Sequence, residues 1–103
     1  MQQQRFHDEY FSREYRYSIG NDTNLGGKYL SIPVSNGIVD YEEYYALTPM
    51  QYDNFMSDQS GASAFAESCR RREHDDLLLQ KPGWNRGTPV LSAAWNRPWN
   101  SVC

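Results

Sequence analysis

Along residues 11–19, Phe11, Tyr15, Tyr17 and Ile19 occupy odd positions and Ser12, Glu14, Arg16 and Ser18 the even ones, with only Arg13 out of step. A period of two is the side-chain repeat of a strand, so the pattern predicts one amphipathic strand. The next eight residues, Gly20-Asn21-Asp22-Thr23-Asn24-Leu25-Gly26-Gly27, carry turn chemistry throughout and predict a loop. Alternation resumes at Leu30, Ile32 and Val34. Pro33 has no N–H to give a ladder, which places this strand at an edge or ends it early. Asn36-Gly37 tolerates the two positive φ angles of a type I′ turn, predicting a hairpin that joins residues 28–34 to 38–47. In the second arm Val39, Tyr41, Tyr45 and Leu47 share one face, and Asp40, Glu42 and Tyr44 the other.

At Thr48 the period changes. Thr48 as N-cap, Pro49 at the first helical position and Gln51 three residues after the cap make a capping box. The helix it opens carries Tyr52, Phe55 and Met56 on one stripe and ends before Gly61. A second helix is predicted from about Ser63 to Arg72, burying Phe65, Ala66 and Cys69. Asp75 and Asp76 oppose the negative end of the helix dipole, so it stops by His74. Leu77-Leu78-Leu79 reads as a short buried strand, Lys81-Pro82-Gly83-Trp84 as a turn with Trp84 a lid on the core, and 88–91 as a last strand. The repeated tripeptide Trp-Asn-Arg, at 84–86 and 95–97, is too short for a repeat architecture. These elements predict an α+β domain: a small antiparallel sheet of three to five strands around the hairpin 28–47, with two helices on one face. All 103 residues form one domain, with 1–5 and 92–103 as loosely ordered termini.

Composition changes this picture in one respect. The apolar content, 39%, is low, but 15% of residues are aromatic. Each buried aromatic removes about 150–250 Å² from water, so a core needs few aliphatic residues. No apolar run approaches the ~18 residues of a membrane span, and the start is not a signal sequence; a cytoplasmic protein is expected. Cys69 and Cys103 have neither disulfide-scaffold nor zinc spacing and are expected as free thiols, and no cofactor is called for.

Charge is more informative in its distribution than in its net value of −3. Between residues 38 and 58 stand Asp40, Glu42, Glu43, Asp53 and Asp58, with no Lys or Arg. Edge strands are usually protected by Lys, so a solvated strand face accounts poorly for this segment. An acidic field repels nucleic acid and attracts a basic partner, and Tyr is common at protein interfaces. The candidate partner-binding residues are therefore Asp40, Tyr41, Glu42, Glu43, Tyr44, Tyr45, Asp53 and Asp58. The expected partner is a protein with a basic surface, bound one to one; no nucleic acid, membrane or small-molecule substrate is expected.

A second constellation is Glu67-Ser68-Cys69-Arg70-Arg71-Arg72-Glu73-His74-Asp75-Asp76. It offers a rival enzymatic reading, a small hydrolytic or phosphate-handling site built on Glu67, Arg70, His74 and Asp75. The structural reading of the same residues is a set of helix ion pairs, Glu67 with Arg71 at i,i+4 and, if the helix persists, Arg71 with Asp75 and Arg72 with Asp76. A nucleic-acid module using Arg70, Arg71 and Arg72 with Trp84 and Arg86 is opposed by the net acidity. Without nucleophile, metal or phosphate-loop motifs, the chain is not expected to be an enzyme.

In character, a small, acidic, Tyr-rich domain without catalytic motifs resembles the immunity proteins of bacterial toxin systems, those of contact-dependent growth inhibition in particular. The resemblance covers residues 41–90, with Leu47-Thr48-Pro49 opening one helix and Phe65-Ala66-Glu67-Ser68-Cys69-Arg70 in the next. It implies a protein that neutralises a cognate toxin, such as a nuclease with a basic cleft, by blocking its active site. A phage-type or regulatory inhibitor of another target would present the same surface.

Overall fold

The computed structural model describes residues 5–37, 40–84 and 86–89. Four strands, β1 (Phe6–Ser12), β2 (Tyr17–Asp22), β3 (Gly27–Ser35) and β4 (Asp40–Leu47), form an antiparallel meander in the order of the chain. Helices α1 (Pro49–Ser57) and α2 (Gln59–Arg70) follow, then a 3₁₀ turn (Asp75–Leu77) and a two-residue strand β5 (Thr88–Pro89). The fold is α+β, with both helices on one face of the sheet. No helix among the described residues is long and apolar enough to cross a membrane.

The predicted strand 11–19 is two strands. Residues 13–16 make a tight turn, because the Ser12 hydroxyl accepts the Tyr15 N–H at 3.1 Å and the Ser12 carbonyl accepts the Arg16 N–H at 2.9 Å. Arg16 sits at φ +57°. From α2, the Arg70 guanidinium donates to the carbonyls of Tyr15 and Arg16, both at 2.7 Å. A tertiary contact thus overrides a regular local pattern. The predicted loop 20–27 shrinks to residues 23–26, since β2 runs on to Asp22, whose carboxylate accepts the N–H groups of Asn24 and Leu25.

The hairpin of β3 and β4 pairs Lys28 with Leu47 through Ser35 with Asp40. Four residues therefore connect the arms, and no two-residue type I′ turn forms: Gly37 takes φ +89°, whereas Asn36 is not in the positive-φ region. Pro33 lies where β3 has lost its other neighbour. Pairing with β2 stops at Ser18 with Ser31, and β5 takes up that side at Val34 and Ser35. The strand continues past Pro33 because that stretch is locally an edge.

Tyr17, Ile19, Leu30, Ile32, Val34, Tyr45 and Leu47 form the sheet side of the core against Ala62, Ala66 and Cys69 of α2. Ala62 and Ala66, one turn apart, let the helix lie close to the strands. The Thr48 capping box forms as expected. Asp58 ends α1 and caps α2 through the Ser60 N–H, so α2 starts four residues earlier than predicted and stops at Arg70. Tyr52 and Phe55 pack on the core, but Met56 is exposed. Leu77 belongs to the 3₁₀ turn, and only Leu78 bridges to Tyr45. The predicted strand there is absent. Trp84 is 98% exposed and no lid. Of the predicted strand 88–91, Thr88 and Pro89 form β5; Val90, Leu91 and the tail from 92 lie outside the described residues.

Candidate partner-binding surface

Alternation along β4 divides the candidate residues between two faces. Odd residues point to the helices: Tyr45 is fully buried, Glu43 is 5% exposed, and Tyr41 is half-buried against the core. Glu43 accepts from Arg86 at 2.7 and 3.0 Å and from the Tyr45 hydroxyl at 3.0 Å. Arg86 also holds Asp75, at 2.9 and 3.0 Å. Glu43 and Tyr45 are therefore structural and cannot meet a partner. Asp53 is exposed on α1, in the helical layer, and Asp58 is occupied as the cap of α2. Asp40 is exposed where β4 begins.

Glu42 and Tyr44 lie on the sheet face away from the helices, and there the structure adds residues that the sequence pattern missed. The Tyr44 ring stacks on Phe6 at 3.6 Å between centroids, and both meet Tyr29 edge-on. Rings from the first and fourth strands can touch only if the sheet curls. Gly20 permits this: a Cβ there would sit 2.1 Å from the His7 carbonyl oxygen, so β1 presses over β2 at the one position without a side chain. A bulge between Asp8 and Tyr10 re-aims the strand. Asp8 is thereby brought to accept a hydrogen bond from the Tyr29 hydroxyl, close to Glu42.

This face is acidic without compensation. Burial raises the Glu42 carboxyl above its ordinary range; the Ser31 hydroxyl works against that, and the like charge of Asp8 adds to it. Tyr44 is pushed up to about 12, by burial first and then by Glu42 and Asp8. Among the described residues neither Asp8 nor Glu42 has a basic partner, whereas Asp22, Glu43, Glu67, Glu73 and Asp75 each hold an arginine. A carboxyl with a raised folded-state pKa favours folding below its unfolded pKa, and that contribution is lost as pH rises through the folded value. Glu42→Gln is accordingly expected to stabilise the fold at pH 7 and to have no effect near pH 3, as urea denaturation at the two pH values will show. Equal midpoints of variant and parent at pH 7 would mean that Glu42 is effectively solvated.

Each member of the rival enzymatic constellation has a structural partner. Glu67 pairs with Arg70 at i,i+3, and Arg70, 8% exposed, is committed to the 13–16 turn. The His74 ring stacks on Phe65 and its Nε2 lies 2.9 Å from the Ser68 hydroxyl. Asp75 holds Arg86. Arg71 pairs with Glu73 at the surface, and Arg72, at φ +64°, donates to the Gly87 carbonyl at 2.7 Å. With the helix ended at Arg70, the pairs Arg71–Asp75 and Arg72–Asp76 are not made. Burial pushes the Cys69 thiol up to about 12, so thiolate is scarce at neutral pH. Cys103 lies outside the described residues.

No protein-family profile, curated protein or solved structure matches the chain.

Proposed function

We propose that this chain is a cytoplasmic immunity-type inhibitor that binds a toxin with a basic surface, such as a nuclease domain, one to one and blocks its active site. The observation that carries the reading is the pair of uncompensated carboxylates, Asp8 and Glu42, beside the Phe6, Tyr29 and Tyr44 rings on one sheet face. A half-buried carboxylate without a cation costs stability in the free protein, and a basic partner recovers that cost on binding. Of the three rings only Tyr44 is open to a partner, since Phe6 is 9% exposed and Tyr29 fully buried; Tyr44 supplies apolar contact beside these charges, and the other two rings hold it in place. The contact surface thus narrows from the acidic segment 38–58 to Asp8, Asp40, Glu42 and Tyr44, with Asp53 on a different layer.

The chain purified from its native cell is expected to bring down a basic protein in equal amount and to suppress that protein's activity. The association rate should fall as salt rises, because steering is screened beyond about 8 Å at physiological ionic strength. Neutralising the face with Asp8→Asn and Glu42→Gln together is expected to slow association by about tenfold or more, while Asp53→Asn changes it little. The reading fails if no stoichiometric partner is captured or if the double variant associates at the parental rate.

A further inference from the structure

β1 leaves one margin of the sheet open. At the opposite margin, Leu78 bridges to Tyr45 and the Leu79 N–H donates to the Tyr44 carbonyl at 2.8 Å, which covers part of β4. Where β2 stops short along β3, β5 fills the gap. β1 pairs with β2 alone, and no strand among the described residues takes its other edge. His7 to Phe11 are exposed without interruption.

The direction of its backbone groups follows from one bond. The Thr23 N–H donates to the Arg5 carbonyl at 2.7 Å, so Arg5 turns its groups toward β2. Pairs in an antiparallel ladder alternate, which points the groups of His7 inward and the N–H and C=O of Phe6 and Asp8 outward. The His7 carbonyl does lie against Gly20 of β2. The bulge after Asp8 then breaks the alternation. The Phe6 ring is covered by Tyr44 and Arg5, so Phe6 contributes its backbone and not its side chain. The free edge is therefore a short ladder of two donors and two acceptors, ended by the bulge. Natural edges are guarded by Lys, Pro or a bulge. β1 has the bulge but neither Lys nor Pro, and it carries two carboxylates. Asp8 lies beside Glu42, on the face away from the helices. Glu9 lies on the helix side near Tyr52, where the described residues give it the His7 ring at 3.4 Å and the Asn21 amide at 3.2 Å.

We propose that the free edge of β1 receives an extended basic segment of the protein partner as an added strand, hydrogen-bonded at Phe6 and Asp8, with its cations beside Asp8 and Glu9. This rests on the reading of the chain as an inhibitor of a basic protein. Charge selects the occupant. A second copy paired about a two-fold axis would bring Asp8 and Glu9 of both chains into one short stretch, and like charges across a strand pair are unfavourable. A basic strand reverses that sign, and main-chain bonds supply affinity as in other strand additions. Antiparallel is the more stable pairing and continues the pattern of the sheet. Because Asp8 belongs both to this edge and to the acidic face, the added strand enters next to Glu42.

The test is an NMR titration of the full chain with acetyl-Lys-Lys-Val-Val-Thr-amide, whose second and fourth residues face Asp8 and Phe6. A dissociation constant on the order of 1 mM is expected, with shifts and slower solvent exchange at the Phe6 and Asp8 amides. N-methylation of the second and fourth residues, which removes the donors toward β1, should abolish binding. N-methylation of the third, whose N–H points away, should spare it. The peptide with Glu in place of both Lys should not bind. Asp8→Asn, which keeps an acceptor for the Tyr29 hydroxyl, should weaken binding by about twofold to fivefold, the range for an exposed ion pair. Asp53→Asn should leave it unchanged. Binding indifferent to N-methylation, or shifts spread over all exposed acids, overturn the added strand. Dimerisation of the chain alone that protects the same amides makes a second copy the occupant and overturns it too. If a basic partner is captured but its complex leaves the Phe6 and Asp8 amides exchanging at the free rate, the edge falls and the inhibitor reading stands. Peptide binding with no captured partner overturns the inhibitor reading and leaves the edge's preference for a basic strand.

Discussion

Replacing Glu43 with lysine is expected to cost about 3–5 kcal/mol of folding stability, the usual cost of breaking a buried ion pair from one side. Glu43 is 5% exposed and its side chain carries two hydrogen bonds from Arg86 and one from the Tyr45 hydroxyl. Lysine sets two cations together in a place with little water, and Tyr45, fully buried, loses its nearer acceptor, leaving only the Cys69 carbonyl at 3.5 Å. Asp75 still holds Arg86 from the surface side, but half of the anchor for the 80–89 segment is gone. Urea denaturation will read the loss, and faster amide exchange at Thr88 will show β5 leaving β3. Glu43→Gln, which keeps an acceptor for both partners, should cost less than lysine. The adjacent Glu42→Lys should not destabilise the fold, because that side chain faces away from the helices and has the like charge of Asp8, not a cation, beside it. If Glu43→Lys is as stable as the parent, Glu43 is not the interior half of an ion pair, and the assignment of faces on β4 is wrong.

Two adjacent glutamates with opposite fates mark where the sequence was legible and where it was not. Period-two alternation correctly put Tyr41, Tyr45 and Leu47 on one face and Glu42 and Tyr44 on the other, because that repeat is a property of the strand itself. The same alternation puts Glu43 inward, yet a carboxylate belongs there only because Arg86, 43 positions later, meets it. No local pattern encodes that meeting. The capping box at Thr48 was legible for the opposite reason, since all its partners lie within four residues. The break at 13–16 was not, because the residue that secures it is Arg70 on α2. Asp8 escaped notice in the same way: its place beside Glu42 depends on Gly20 and a bulge, which bring β1 across the sheet. Local signals gave facing and most element types, though not at Leu77–Leu79; the rest was set by the curl of the sheet and by Arg5, Arg70 and Arg86 acting at long range.

One of those arginines ties the start of β1 to the end of β2, and there the second large effect is expected. Asp22 is 1% exposed and accepts from Arg5 Nε at 2.9 Å and Nη2 at 3.0 Å, while the same carboxylate receives the N–H groups of Asn24 and Leu25. Asp22→Ala removes the ion pair and uncaps the 23–26 turn together. Arg5 is a quarter exposed, so water offsets part of its loss, and about 2–3 kcal/mol is expected instead of the full cost of a buried pair. Asp22→Asn keeps an acceptor for the turn and should fall between alanine and the parent. The Arg5 hydrogen bonds hold the Asp22 carboxyl below its ordinary value against the effect of burial, with the turn N–H groups helping. A carboxyl with a depressed folded-state pKa contributes stability that is present above its unfolded value of about 3.9 and lost as pH falls through the folded one. The parent should therefore lose this contribution as pH falls below about 4, and the gap between parent and Asp22→Ala should narrow over the same interval. Denaturation midpoints at pH 7, 4 and 2 test both parts. A gap that stays constant down to pH 2 would show that Asp22 acts through the neutral hydrogen bonds of the turn alone and that Arg5 contributes nothing to the fold.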